Sequence, residues 1–210
     1  MKYTLLFWDW NGTLMNDLSI TLDAVNAVLC RRNMKPISLC QYYSYLDTPI
    51  WKFYAHLFDF NKVPFNVISQ EFFDNYTLWE KDAGLADGIP ALLSSLHYAG
   101  MQQAVLTSAA TEDVERLLRY YGIRDIFVTV SGSDDRLSGS KIERGKTLIQ
   151  SFPPQSAVMI GDSLHDLATA RAMGTDCILV NWGHQNPEEL ILSGVPVANT
   201  CSDLAALLGV

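Results

Sequence analysis

Three aspartates, a Thr-Ser pair and a basic segment carry the chemistry that this sequence can do. Asp9 closes the apolar run of residues 3–8 and is followed by Trp10-Asn11-Gly12-Thr13-Leu14. An aspartate at the end of a buried strand, just before a tight turn, presents a carboxylate oxygen to an electrophile, and the N–H groups of the turn can face an anion. Further on, residues 158–160 lead into Gly161-Asp162-Ser163-Leu164-His165-Asp166. Glycine lets the backbone approach a ligand closely, and two acids four residues apart on a starting helix face one side. Such carboxylates are hard oxygen donors suited to Mg²⁺. Thr107 and Ser108 offer hydroxyl and N–H groups to a phosphate, and residues 140–146 offer Lys141 or Lys146 to neutralise it. Each piece has a plainer explanation. Asp9 can cap a turn, and Asp162 and Asp166 can be helix-start acids. Thr107-Ser108 can be a local turn, and the lysines can be solvated surface charge. Those explanations serve each residue singly. They do not explain why Asp9 and Asp162 should end two strands of one sheet.

The surrounding elements must make that sheet. Residues 3–8 are short, apolar and aromatic, as in a strand buried on both faces. After Gly84 the pattern alternates. Helices are predicted at 90–98, 111–121, 142–152 and 164–173, and strands at 103–106, 126–130, 157–160 and 177–180. Repeated β-α units give a parallel sheet covered by helices. Ligands bind at the carboxyl edge of such sheets, where Asp9, Thr107, Asp162 and Asn181 fall. Residues 17–83 read differently. Leu18, Leu22, Val25, Val28 and Leu29 recur at helical spacing until Pro36. Two more helical patterns follow, around Trp51–Phe58 and Val67–Trp79 in sequence. The aromatics there (Trp51, Phe53, Tyr54, Phe72, Phe73, Trp79) are expected to form a small core of their own, not a substrate pocket.

The chain has 210 residues, 49% of them hydrophobic, so a sizeable core is expected. The net charge is −8 and no dense Lys/Arg run occurs, which argues against nucleic acid or an anionic membrane as partner. Four cysteines without CxxC spacing read as buried free thiols in a reducing compartment. Asp9 interrupts the first apolar run too early for a signal peptide, and no stretch is long enough to span a bilayer. The expectation is a soluble, cytoplasmic protein.

In type and order, the four segments resemble the four motifs of the haloacid dehalogenase-like superfamily, most of all its phosphoglycolate-phosphatase-like branch. The resemblance covers nearly the whole chain. It implies an α/β fold: a Rossmann-like parallel-sheet core from residues 1–14 and 85–210, with residues 15–84 inserted as a helical cap. It implies Asp9 as nucleophile, and Mg²⁺ held by Asp9, Asp162, Asp166 and the main-chain carbonyl of Asn11. Thr107, Ser108, Gly12 and Lys141 would bind the phosphoryl group of a small phosphorylated metabolite. Lys141 is the family's motif lysine by its distance to Leu148-Ile149, with Lys146 the alternative.

Asn11 departs from the pattern. Phosphatases of this family carry an aspartate there, which protonates the leaving oxygen and then activates water. A carboxamide cannot exchange that proton, and such help is worth ~10²–10⁴-fold, or roughly 3–5 kcal/mol of barrier. Alkyl phosphates should suffer most, acyl and aryl phosphates least. Two kinds of relative dispense with that aspartate. Phosphonoacetaldehyde hydrolases use a cap lysine as a Schiff base, a role open to Lys52 beside His56, although a snorkelling surface lysine is the plainer reading. Haloacid dehalogenases need no metal, which the retained Asp162 and Asp166 argue against. A non-catalytic phosphate-binding protein is the contrasting possibility. Asn181-Trp182-Gly183-His184 resembles loops bordering the site in relatives; His184 is expected in a surface loop, and His165 in a structural role.

Overall fold

A computed structural model of the chain describes residues 2–134, 140–152 and 156–210. Six parallel strands form one sheet: β1 (Leu5–Trp8), β2 (Gln102–Ala110), β3 (Thr129–Ser133), β4 (Ala157–Gly161), β5 (Asp176–Val180) and β6 (Val197–Ala198). Their order is β3-β2-β1-β4-β5-β6. All four residues of β1 are buried, because helices cover both faces of the central strand. Leu6 and Trp8 enter one apolar cluster, and Leu5 and Phe7 the other. This alternation has the two-residue period of a strand.

The insertion between β1 and the rest of the sheet holds α1 (Leu18–Cys30), α2 (Leu39–Tyr45), α3 (Trp51–Ala55) and α4 (Phe65–Ala83). It departs from and returns to the sheet at one point, where Met15 bridges both Asn11 and Leu85. Val25, Val28, Leu29, Phe53, Tyr54 and Ile68 form its own apolar cluster. One face of the sheet is then covered by α5 (Ile89–Tyr98), α6 (Thr111–Tyr120) and, later, α10 (Cys201–Leu208). The other is covered by α7 (Lys141–Gln150), α8 (Leu164–Met173) and α9 (Pro187–Ile191). Burial of each large apolar side chain contributes about 1.5–3 kcal/mol, so both layers are firmly held.

Several boundaries differ from the sequence reading. Helix α1 stops at Cys30, well before Pro36, and Asn33 takes a left-handed φ of 55° in the turn that follows. The apolar run at 126–130 splits. Its first part ends a short 3₁₀ turn, Arg124–Ile126, closed by the Arg124 guanidinium on the Phe127 carbonyl; only from Thr129 does it pair as β3. No apolar periodicity marks α2, which the structure shows opening on a capping box between Ser38 and Gln41. Cys30 and Cys40 are exposed, contrary to the expectation of buried thiols; Cys177 is buried. Among the described residues, no helix is long and apolar enough to cross a membrane.

Candidate active site

Strand register brings the site together. Trp8 pairs with Val105 of β2 and with Ile160 of β4. Asp9 therefore emerges one residue beyond β1 on the carboxyl edge, next to Thr107 on one side and Asp162 on the other. The Asp9 N–H donates to the Ile160 carbonyl at 2.8 Å, extending the ladder by one step. Asp162 follows β4, and Asp166 lies in the first turn of α8. There Asp166 is also half of a capping box: its Oδ2 accepts from the N–H and hydroxyl of Ser163, at 3.0 and 2.6 Å. A Cβ built on Gly161 would stand 2.2 Å from the Asp166 carboxyl carbon. Only glycine lets β4 and this carboxylate approach so closely.

Asp9, Asp162 and Asp166 are all buried, and one oxygen of each lies within 4.8 Å of the others. Lys141, at the start of α7 and also buried, bridges Asp9 and Asp166 through its ammonium. Lys146 instead pairs with Glu143 at the surface, 2.8 Å away, so geometry selects Lys141 of the two lysines left open by the sequence. Three carboxylates face one ammonium. Burial, with Asp166 and Asp162 nearby, raises the Asp9 carboxyl despite Lys141. Burial raises Asp162 to about 6 even against His184. Both displacements are those of an oxygen-donor set short of positive charge, and a hard divalent cation is the species that such a set fits.

Around this cluster lies a cavity of about 790 Å³, lined also by Thr107, Ser108, His165 and the loop of residues 46–50. Thr107 is buried and its Oγ1 accepts from the Ala109 N–H, while Ser108 is exposed. Gly12, expected at the phosphate, does something else. Its N–H donates to the Asp17 carboxylate (Oδ1) at 2.7 Å, so it is not free for a phosphate. Its φ is +70°, and a Cβ there would meet the Asp162 carboxylate at 2.2 Å. The turn is glycine so that it can close over Asp162.

The residue that sequence reasoning missed is Asp17. It is buried at the mouth of the insertion and organises the turn. Its Oδ2 accepts from Asn11 Nδ2 at 2.7 Å and from the Tyr76 hydroxyl at 2.8 Å. Tyr76 in turn accepts a second hydrogen bond from Asn11 Nδ2, at 2.9 Å. His184 is no surface residue. Its Nε2 lies 3.1 Å from Asp17 Oδ1, its Nδ1 2.9 Å from the Tyr42 hydroxyl, and its N–H donates to Asp162 Oδ2 at 2.6 Å. Burial opposes the imidazolium, but Asp17 outweighs it and raises His184 to about 9; burial likewise opposes the Asp17 carboxylate, which His184 holds below its ordinary value. No sequence signal announced this network, because Asp17, Tyr42, Tyr76 and His184 sit on four different elements. Lys52 lies outside the cavity and pairs with Asp47 at 3.2 Å. Phe53 and Tyr54 are core, as expected, but Phe72 and Phe73 also border a cleft beside Asn11.

A sequence family described as haloacid dehalogenase-like hydrolase matches residues 6–180. The tyrosine-protein kinase PtkA of Mycobacterium tuberculosis is 38% identical over 132 residues, 60% of this chain. The match spans only 45% of that kinase's length. A phosphoglycolate phosphatase of Psychrobacter arcticus is 25% identical, with 90% of this chain and 88% of that protein covered. In three dimensions, a haloacid dehalogenase-like hydrolase of Streptococcus pneumoniae superposes with a TM-score of 0.84 at 19% identity, covering 99% of each chain.

Proposed function

The chain belongs to the haloacid dehalogenase-like hydrolases, and from that premise we propose that it is a Mg²⁺-dependent phosphatase acting on a small phosphate ester through an aspartyl-phosphate on Asp9. The convergence of Asp9, Asp162 and Asp166 on one point, with Lys141 beside them, carries this reading. Those three carboxylates and the Asn11 main-chain carbonyl would hold the ion. When bound, Mg²⁺ supplies Lewis acidity toward a phosphoryl oxygen and offsets carboxylate repulsion. Phosphoryl transfer passes through a loose transition state, so positioning and charge do most of the catalytic work. Lys141 fixes one Asp9 oxygen, which leaves the other to attack phosphorus. Thr107 and Ser108, where the neighbouring strand β2 loses regular register with β3, receive the phosphoryl oxygens. The helical insertion serves as the cap, closing the cavity with residues 46–50.

The Lys52 Schiff-base reading lacks support, since Lys52 lies outside the cavity. A purely binding role would not require a nucleophile and a lysine brought together at the strand edge. The deciding assay is turnover of acetyl phosphate and p-nitrophenyl phosphate with and without Mg²⁺. Turnover should need the ion and be lost in Asp9→Asn. Mg²⁺ binding without turnover of either substrate would leave only the binding role.

A further inference from the structure

Across Asn11 from the catalytic cavity lies a second chamber of about 320 Å³, between the insertion and the sheet edge. The two share Asn11, Leu46, Ile50, Ser108 and His184. The remaining part of a molecule with its phosphorus at Asp9 therefore lies next to this chamber. The chamber walls are aromatic, including Trp10, Tyr42, Phe72, Phe73 and Tyr76. Its ionisable side chains are otherwise Asp17, Glu80, Asp113 and His184, and no lysine or arginine lines it among the described residues. His184 is already paired with Asp17, and Glu80 and Asp113 both pair with Arg116. An anionic group entering here meets carboxylates and finds no further cation. A neutral ring meets aromatic faces and edges. A cavity of ~150 Å³ suffices for benzene, so this chamber has room for one substituted ring.

Asn11 points the same way. Its amide N–H groups are spent on Asp17 and Tyr76, and it has no proton to give a leaving oxygen. The leaving group must depart as a stable anion. A phenolate, whose conjugate acid resembles the tyrosine hydroxyl with its pKa of about 10, can do so far better than an alkoxide.

We propose that this chamber receives the uncharged, ring-bearing leaving group of an aryl phosphate monoester, so that the enzyme prefers neutral aryl phosphates to phosphates whose leaving group carries a carboxylate. The proposal rests on the phosphatase reading above. In the first step an Asp9 oxygen bonds to phosphorus as the phosphorus–aryl oxygen bond breaks. The electron pair leaves with the aryloxide, which takes a proton from water. A second water then attacks the phosphorus of the aspartyl-phosphate, restoring the Asp9 carboxylate and releasing inorganic phosphate, whose surplus proton neutralises the hydroxide left by the first water.

The test compares kcat/KM with Mg²⁺ for the phosphate monoesters of methyl 4-hydroxyphenylacetate and of 4-hydroxyphenylacetate, in which a methylene insulates the phenol oxygen so that the leaving groups differ in charge far more than in acidity, each normalised to acetyl phosphate, which has no ring to seat. The neutral ester should be favoured by roughly tenfold, the order of one like-charge contact in a mostly aqueous dielectric. Thr77 lines the chamber from an exposed position on α4, so Thr77→Lys supplies a cation with little risk to folding. It should narrow or reverse the preference. Equal use of the two esters by the wild type, or a preference that Thr77→Lys leaves unmoved, would overturn the proposal while acetyl phosphate turnover still upheld the phosphatase reading. No turnover of acetyl phosphate would overturn both.

Discussion

At Asn11 the side chain is held as a donor to Asp17, which is 1% exposed. Asn11→Asp places a second carboxyl 2.7 Å from that carboxylate. Like charges so close cannot both ionise, so the introduced group must titrate well above the ~3.9 of a free aspartate. A carboxyl with a raised folded-state value binds more protons folded than unfolded, and its contribution to stability falls as pH rises. The variant should therefore be less stable than wild type by about 1–3 kcal/mol at pH 8, with the gap closing toward pH 5. Urea denaturation at both pH values checks this, and an equal gap at the two would refute it. A carboxyl kept protonated by Asp17 is also an acid within reach of a leaving oxygen. Turnover of alkyl phosphates should accordingly gain more than turnover of aryl phosphates.

Among the elements, α8 does two jobs with one residue. Asp166 belongs to the carboxylate cluster, and its other oxygen closes the capping box with Ser163. Its Oδ2 thus fills the plainer role that the sequence offered, a helix-start acid, while its Oδ1 meets Lys141. Ser163→Ala removes the N-cap hydroxyl and should cost roughly 1 kcal/mol. It also frees the Asp166 carboxylate to rotate, so the Mg²⁺ concentration giving half-maximal activity should rise. A variant that loses stability but keeps the wild-type Mg²⁺ dependence would show that the cap and the site are uncoupled. Among the described residues, the other two helices that open on a full capping box, α2 and α10, carry none of the cluster's carboxylates.

For the molecule as a whole, the Tyr42–His184–Asp17 chain ties the loop after β5 to the helical insertion. His184 titrates at about 9 against an ordinary 6.5, so its contribution is complete below pH 6.5 and is lost as pH rises through 9. Asp17 is depressed; its contribution is complete above the ordinary carboxylate range and is lost as the solution becomes acid. The pair therefore stabilises most between about pH 4 and 6.5. With metal chelated, the wild type should lose on the order of 3 kcal/mol between pH 6.5 and 9.5 that His184→Gln does not lose. Parallel denaturation curves of the two proteins across that range would contradict this account.

Much of this was written in the chain. The β-α alternation follows from apolar periodicity, which burial imposes locally. Asp9, Asp162 and Asp166 could be picked out because each follows a buried strand or opens a helix, positions legible from neighbouring residues alone. Other features waited for the folded state. Which lysine reaches Asp9 depends on how α7 packs against β2 and β3, and the sequence left Lys141 and Lys146 both open. Asp17 and His184 are separated by 167 positions, and their pairing needs the insertion to be laid over the sheet edge. The same packing set Phe72 and Phe73 along the wall of a chamber, whereas the Gly12 N–H is taken locally, by Asp17 five positions on. Local pattern fixes what an element is. Contacts between distant elements, set by how their surfaces pack together, decide what its side chains meet.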